Sequence, residues 1–510
     1  MTQEIWDVVI IGSGAGGGTL AQRLARTGKR ILLLERGEFI AREQANWDVT
    51  EVVEKGRYRT RETYLDREGK PFEPFTHFCV GGNTKMYGAA LLRLRESDFS
   101  EGKRFDGVSP AWPISYAELE PYYLQAEQLY SVHGTRGLDP CEPPASGAYP
   151  FGPVAHEPRI AELACRLADV GLHPFPVPLG VRLPQDKAGS RAPVTLGLFD
   201  GFPDPTETKA DAHVVGVNAA LAHPNFSLWT GAHAERILTS SSGREVSAVV
   251  VRRGSESITV RAHMVAVACG AIQSAALLLR SQSDVHPNGL ANGTGLVGRN
   301  YMCHNNGALI VYSDVPNPSL FQKTFAITDY YHGAPDSPYP LGSIQLMGRS
   351  DRNTLRDSFA KLLPDRTIED LAAHTVDFWL TAEDLPRAEN RVALAPDGKV
   401  RVEYEKTNTE AYARLKRALI QKVEQAEPHT AHVFSGYELG VQGVSHQCGT
   451  LRFGRDKESS VLDPMCRAHE LDNLYVVDSS FFCSSGAVNP SLTIMANALR
   501  VGDHLAERLR

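Results

Sequence analysis

Residues 7–35 read DVVIIGSGAGGGTLAQRLARTGKRILLLE, and this stretch decides the fold. Asp7 to Ile11 is a short β-branched run fit to be buried on both faces, as a central parallel strand must be. A glycine turn follows at once, with Gly12, Gly14 and Gly17 in a GxGxxG pattern. Behind it Leu20, Ala21 and Leu24 share one helical face until Gly28 stops the helix, and RILLLE supplies a second strand. Glu35 closes that strand 18 residues after Gly17, where a carboxylate can accept hydrogen bonds from both hydroxyls of an adenosine ribose. The glycines are needed because side chains would keep the backbone off a pyrophosphate, while the helix N-terminus offers N–H groups and partial positive charge. A lone glycine turn can be merely flexible. Strand, helix, second strand and acid together predict a dinucleotide site. An acid at position 35 disfavours a 2′-phosphate, so FAD or NAD is expected over NADP, and the motif does not choose between them.

A chain of 510 residues exceeds what one core usually supports, so this unit is expected to sit within two lobes or more. With 42% hydrophobic and 22% charged residues the composition is globular, which excludes disorder and fibrous repeats. Fifty-three basic against sixty acidic residues give a net charge of -7, the opposite of the basic excess that nucleic acid selects. Eight scattered cysteines without CxxC pairs read as reduced thiols. No basic leader precedes the first strand, and no apolar run approaches the roughly 18 residues of a membrane helix. A cytoplasmic address with no membrane partner is therefore expected. HExxH, GxSxG and paired metal-ligand spacings are absent, so no metal site is expected.

Further along, FTHFCVGGNTKMYGAALLRLR (75–95) places Gly81 and Gly82 where close backbone approach is expected. In WPISYAELEPYYLQAEQLY (112–130), Ser115 and Glu118 form a capping box before a helix. Residues 131–215 are rich in Pro and Gly and predict irregular crossings. NFSLWTGAHAERIL, EVSAVVVRRG and SITVRAHMVAVACG alternate like the strands of a meander, and GAIQSAALLLRS reads as another strand-to-helix turn. Residues 310–440 carry many aromatics and prolines, which predicts a mixed second lobe whose sheet covers a pocket. Near the end, YVVD is a short strand ending in Asp478, and a periodic helix begins near Pro490 and Ser491.

Taken in order, these blocks resemble the glucose-methanol-choline (GMC) flavin oxidoreductases. The likeness is carried by GSGAGGGTLAQRLA with LLLERG, VGGNTKMYG, VACGAIQSAALLL, HQCGTLRFG and NLYVVDSSFFCSSGAVNPSLTIMANALR. HQCGTLRFG with AVNPSLT further resembles the pyranose oxidases and bacterial glucoside 3-oxidases, which act on a secondary ring hydroxyl of glucose or its O- or C-glycosides. The resemblance implies an α/β fold. A Rossmann-like FAD-binding lobe would be assembled from 1–100, 215–310 and 441–510, with connecting segments at 101–214 and a second, mixed α+β substrate lobe at 311–440.

It also implies roles. Gly12, Gly14, Ala15 and Gly17 would cradle the FAD pyrophosphate, with Glu35 and Arg36 at the adenosine ribose and the backbone of Ala234 at adenine. Gly81, Gly82, Asn83 and Thr84 would lie along the flavin, and Asp478 with Ser479 along the ribityl chain. The turn through Asn489, Pro490 and Thr493 would bring a helix N-terminus to the flavin N1 and O2 edge, which becomes negative on reduction. His446 and Asn489 match the family's catalytic pair, the imidazole as base and the amide holding the substrate hydroxyl. Met86 occupies the place of the histidine that tethers flavin in fungal pyranose oxidases, which implies noncovalent FAD. Gly88 stands where those enzymes have Thr near flavin N5, so dioxygen and another electron acceptor both stay open. Gln345 and Trp379 are the expected sugar contacts, with core packing the other reading of Trp379, and Cys448 is expected to be a small buried filler.

The expected reaction is oxidation of a secondary hydroxyl, at C3 or C2 of a glucose or glucoside, to a keto-sugar. The rival readings are a GMC enzyme for a sterol, choline or aryl alcohol, a flavin-fold binding protein without turnover, and an NAD-dependent dehydrogenase.

Overall fold

The β-branched run becomes the strand Ile5–Ile11, buried from Val8 onward, and Ile31–Leu34 lies parallel beside it. The computed structural model describes residues 5–186, 198–347, 367–427, 431–442 and 446–510. Among the described residues, seven strands form the first sheet. Its order is Phe226–Trp229, Ile31–Leu34, Ile5–Ile11, Glu256–Val267, Val246–Arg253 and Ala232–Thr239, and Leu474–Val476 pairs with the end of Glu256–Val267. The parallel half is covered on both faces, which is why VVII and ILLL are continuous apolar runs rather than alternating ones. NFSLWTGAHAERIL contributes two strands that go to opposite edges of the sheet, and only the second joins the antiparallel meander.

Helix Ala15–Ala25 starts directly after the glycine turn. Gly17 lets it pack there, because a Cβ at that position would overlap the Gly12 carbonyl oxygen. The final helix, Ser491–Arg508, packs against it and is buried along most of its first three turns. Tyr116–Leu129 carries the expected capping box between Ser115 and Glu118, and its Tyr123 hydroxyl lies 2.8 Å from Thr493 Oγ1.

Among the described residues the second sheet has six strands, in the order Ala431–Glu438, Asn305–Ser313, Thr375–Ala382, Ser343–Leu346, Phe325–Ile327 and Phe175–Pro176. Because side chains alternate along a strand, its two faces have separate tasks. Leu309, Val311, Ile344, Leu346, Val376, Phe378 and Leu380 form one core with Ile160, Leu163 and Leu167 of Pro158–Asp169 and Leu415, Leu419 and Val423 of Thr409–Ala426. Each such side chain contributes about 1.5–3 kcal/mol by leaving water. Gln345 and Trp379, which lie between them, and Asn306 at the start of its strand are turned to the other face.

The architecture is thus the expected α/β one, a Rossmann-like lobe joined to a mixed α+β lobe built on an antiparallel sheet. Residue 310, the expected edge of the nucleotide lobe, falls within Asn305–Ser313, and the connecting segment lends Phe175–Pro176 to the second sheet. All eight cysteines are free, and Cys448 is buried. Among the described residues no helix is long and apolar enough to cross a membrane.

Candidate active site

Between the two sheets lies a cavity of about 1450 Å³. That exceeds the roughly 300–1,000 Å³ of an ordinary ligand pocket. One end is the glycine turn. Gly12, Gly14, Ala15, Glu35, Arg36 and Ala234 all line the wall there. A Cβ on Gly14 would meet nothing nearer than the Gly81 oxygen at 4.0 Å, so any side chain at that position would grow into the cavity. Gly17 is not on the wall; it serves the packing of helix on turn.

The Glu35 carboxylate is fixed by Ser13 and Gly37. Oε2 accepts from the Ser13 N–H at 3.1 Å and the Ser13 hydroxyl at 2.5 Å, and Oε1 accepts from the Gly37 N–H at 2.9 Å. Burial raises its pKa, and the Gly37 and Ser13 hydrogen bonds oppose that rise. Lone pairs remain for a diol. Arg36 lies with its guanidinium 4.1 Å over the Phe78 ring and is paired to Glu62 at 3.0 Å.

Gly81 and Gly82 both hold positive φ, 97° and 54°. What they approach closely is protein: a Cβ on Gly82 would meet the Gly14 Cα at 3.1 Å, and one on Gly81 would meet the His213 Cβ at 2.9 Å. Gly82, Asn83, Thr84 and Met86 line the middle of the cavity, and Gly81 itself does not. Asp478 and Ser479 line it too. The Asp478 carboxylate accepts from the Gly270 N–H at 2.9 Å, the Ser480 N–H at 2.9 Å and the hydroxyls of Ser274 and Ser480. These residues fit a dinucleotide laid from Glu35 past the glycine turn toward the second sheet.

Two elements meet at the far end of the cavity. His446, Asn489, Pro490 and Trp379 all lie on the wall. Thr493 does not, because its hydroxyl is taken by Tyr123. Nor does Gln345. Its Nε2 donates to Asn489 Oδ1 at 2.6 Å, so it holds the amide instead of facing the cavity.

His446 Nδ1 is 2.9 Å from His304 Nδ1, and His304 Nε2 is 3.0 Å from the Ser485 carbonyl oxygen. A carbonyl cannot donate, so His304 carries its proton on Nε2 and accepts on Nδ1. His446 must then carry its proton on Nδ1, which leaves Nε2 with the lone pair. Asn306 Nδ2 lies 3.4 Å from the same Nδ1, while its Oδ1 is buried without a partner among the described residues. Exchanging the amide's O and N gives that oxygen the His446 N–H as well. Burial first, then His304 and Lys323, hold the His446 imidazole well below its ordinary pKa, so it is neutral and can accept a proton.

Sequence reasoning missed His304, Asn306, Ser13 and the Lys323–Asp200 ion pair on the cavity wall. Nothing in their local patterns marks them. Among the described residues, no group of three or more His, Cys, Asp or Glu is arranged to hold a metal ion.

Comparison with known proteins adds the following. The family model described as GMC oxidoreductase matches in two parts, residues 77–306 and 370–498, and a Rossmann-like NAD(P)-binding model matches 10–56. The chain is 34% identical to the 6'''-hydroxyparomomycin C oxidase of Streptomyces lividus over 99% of its length and 92% of the relative's. It is 32% identical to the Paromamine 6'-oxidase of Streptomyces fradiae, with 98% and 90% covered. Among solved structures, pyridoxine 4-oxidase from Mesorbium loti superposes with a TM-score of 0.66 at 19% identity, covering 98% of this chain and 99% of that one. The family expected from sequence is thus matched, and the names of these two relatives differ from the narrower likeness, to pyranose oxidases and glucoside 3-oxidases.

Proposed function

The chain belongs to the GMC oxidoreductase family, enzymes that oxidise CH–OH groups with FAD, and from that membership we propose that its substrate is the alcohol of an amino-bearing sugar. The names of the two relatives at 34% and 32% identity point to that class, one naming a 6'''-hydroxy sugar and the other the 6' position, in each case a carbon outside the ring. One observation carries the chemistry. A neutral imidazole with its lone pair on Nε2 and an amide whose oxygen is already taken line the end of the same cavity that begins at Glu35 and the glycine turn.

When bound, FAD supplies the acceptor of the hydride from the alcohol carbon. His446 takes the hydroxyl proton on Nε2, and His304 and Asn306 hold its ring by the other nitrogen. Asn489, its Oδ1 occupied by Gln345, has Nδ2 left to donate to the substrate oxygen. Trp379 offers a ring for the apolar face of a sugar. FAD is held without a covalent tether, since the Met86 thioether offers no nucleophile like imidazole. Dioxygen is the simplest acceptor for reoxidation.

A second reading, oxidation at C3 or C2 of a neutral glucoside, rests on the resemblance of HQCGTLRFG and AVNPSLT. One experiment tests both. The purified yellow protein is mixed anaerobically with paromamine, with methyl glucoside and with a non-sugar alcohol, and bleaching and product are followed. Paromamine bleaching the flavin and yielding an aldehyde is expected. A ketone from the glucoside would favour the second reading, and bleaching by the non-sugar alcohol alone would overturn both.

A further inference from the structure

Lys323 and Asp200 form an ion pair at 2.6 Å on the wall of the cavity. Its two ends are unlike. The Lys323 side chain is 4% exposed, whereas that of Asp200 is 30% exposed. A ligand entering the cavity therefore meets the carboxylate, and Lys323 stands behind it. Lys323 donates to Oδ2, and Oδ1 has no partner among the described residues.

The loop that carries Asp200 is fixed from below. The fully buried Lys209 ammonium donates to the carbonyls of Phe199 and Phe202, each at 2.7 Å, and the Gly201 N–H donates to the Met86 carbonyl at 2.7 Å. Burial pushes the Lys209 pKa down to about 8, a cost the fold sustains while holding this loop. The pair is then seated on a bare glycine. A Cβ on Gly88 would overlap Asp200 Oδ2 and come within 2.5 Å of Lys323 Cε. Gly88 also lines the cavity, as do Trp379 and His446, so the carboxylate faces the same space as the candidate base.

We propose that Asp200, preorganised by Lys323 and Lys209 above Gly88, is the specificity determinant for an amino sugar, its free Oδ1 receiving a substrate ammonium group while the alcohol lies against His446. This rests on the proposed function and names the group that selects its substrate. An ammonium gains a charge-assisted hydrogen bond from a fixed carboxylate, whereas an acetamide at the same place does not. Discrimination of about tenfold follows.

The test uses the FAD-loaded full chain with paromamine and its fully N-acetylated form. Dissociation constants are measured calorimetrically with turnover blocked by His446→Gln, and KM and kcat are measured in the parent background. Asp200→Asn is expected to weaken paromamine binding about tenfold, to leave the N-acetylated form within about twofold, and to act on KM rather than kcat. Asp200→Glu, which keeps the charge, is expected to retain the preference and guards against an effect on folding. Equal affinity of the unaltered site for both sugars, or an unchanged ratio in Asp200→Asn, would overturn the inference. Selective binding of the amine with no bleaching by any sugar would leave it standing and sink the proposed reaction; bleaching without selectivity would do the reverse.

Discussion

Gln345 Nε2 donates to Asn489 Oδ1 across 2.6 Å, and through that bond the second sheet sets the orientation of a side chain at the start of the last helix. An amide left alone offers its oxygen and its nitrogen with equal ease. With Gln345 bonded to the oxygen, the amide is held in one orientation and its Nδ2 hydrogens can donate to a substrate oxygen, as the proposed role of Asn489 requires.

Gln345→Leu is therefore expected to slow the reductive half-reaction by about tenfold to a hundredfold. Asn489→Ala should do the same, and the double variant should be no worse than either single one, because both remove one orienting contact. Stopped-flow bleaching rates of the four proteins check this. Additive losses would mean that Gln345 acts elsewhere.

His446→Ala should keep its flavin absorbance and lose about 10²–10⁴ in the rate of flavin reduction, the usual contribution of a positioned base. Because burial, His304 and Lys323 all hold the imidazole well below 6.5, the acid limb of kcat/KM in the parent protein should lie below pH 6.5. A pH profile of anaerobic reduction measures it, and a limb above pH 6.5 would contradict the neutral ground state.

Stability should carry the mark of His304. Burial pushes its pKa down to about 4 from 6.5, so the unfolded chain binds a proton that the folded one refuses. The neutral ring is fully compatible with folding above pH 6.5, and stability falls as the pH drops from 6.5 toward 4. The slope from this one group is about 1.4 kcal/mol per pH unit within that window. Urea titrations of the parent and His304→Gln should show the variant losing less on acidification, and parallel curves would argue against a neutral buried ring.

Two glycines of the same turn should fail differently. Gly14 has φ of -69° and open space beyond its Cα, so Gly14→Leu should fold and fill the cavity, giving colourless protein. Gly17→Ala drives a methyl into the Gly12 carbonyl and should cost the helix its seat, seen as poor soluble yield or a lowered melting temperature. Flavin content per protein and thermal melting separate the two outcomes.

The residues that sequence brought forward were those whose spacing along the chain reflects a local geometry. The glycine turn, Glu35, the capping box of Ser115 and Glu118, and the final helix each depend on neighbours within a few residues or on one β-α-β unit. His304 is 142 residues from His446, Lys323 is 123 from Asp200 and Gln345 is 144 from Asn489, so no local pattern carries their pairing. Gln345 and Trp379 show the limit most directly. They lie opposite each other on adjacent strands, yet one is turned to the cavity wall and the other is drawn off to an amide on the last helix. By itself the sequence determined the glycine turn, the acid after it and the fold class, and its likeness to a family put His446 forward as the candidate base. Only the tertiary structure decided which nitrogen of that base is free, which amide is held and which carboxylate faces the cavity, because each of these is fixed by contacts between elements that the chain brings together from far apart.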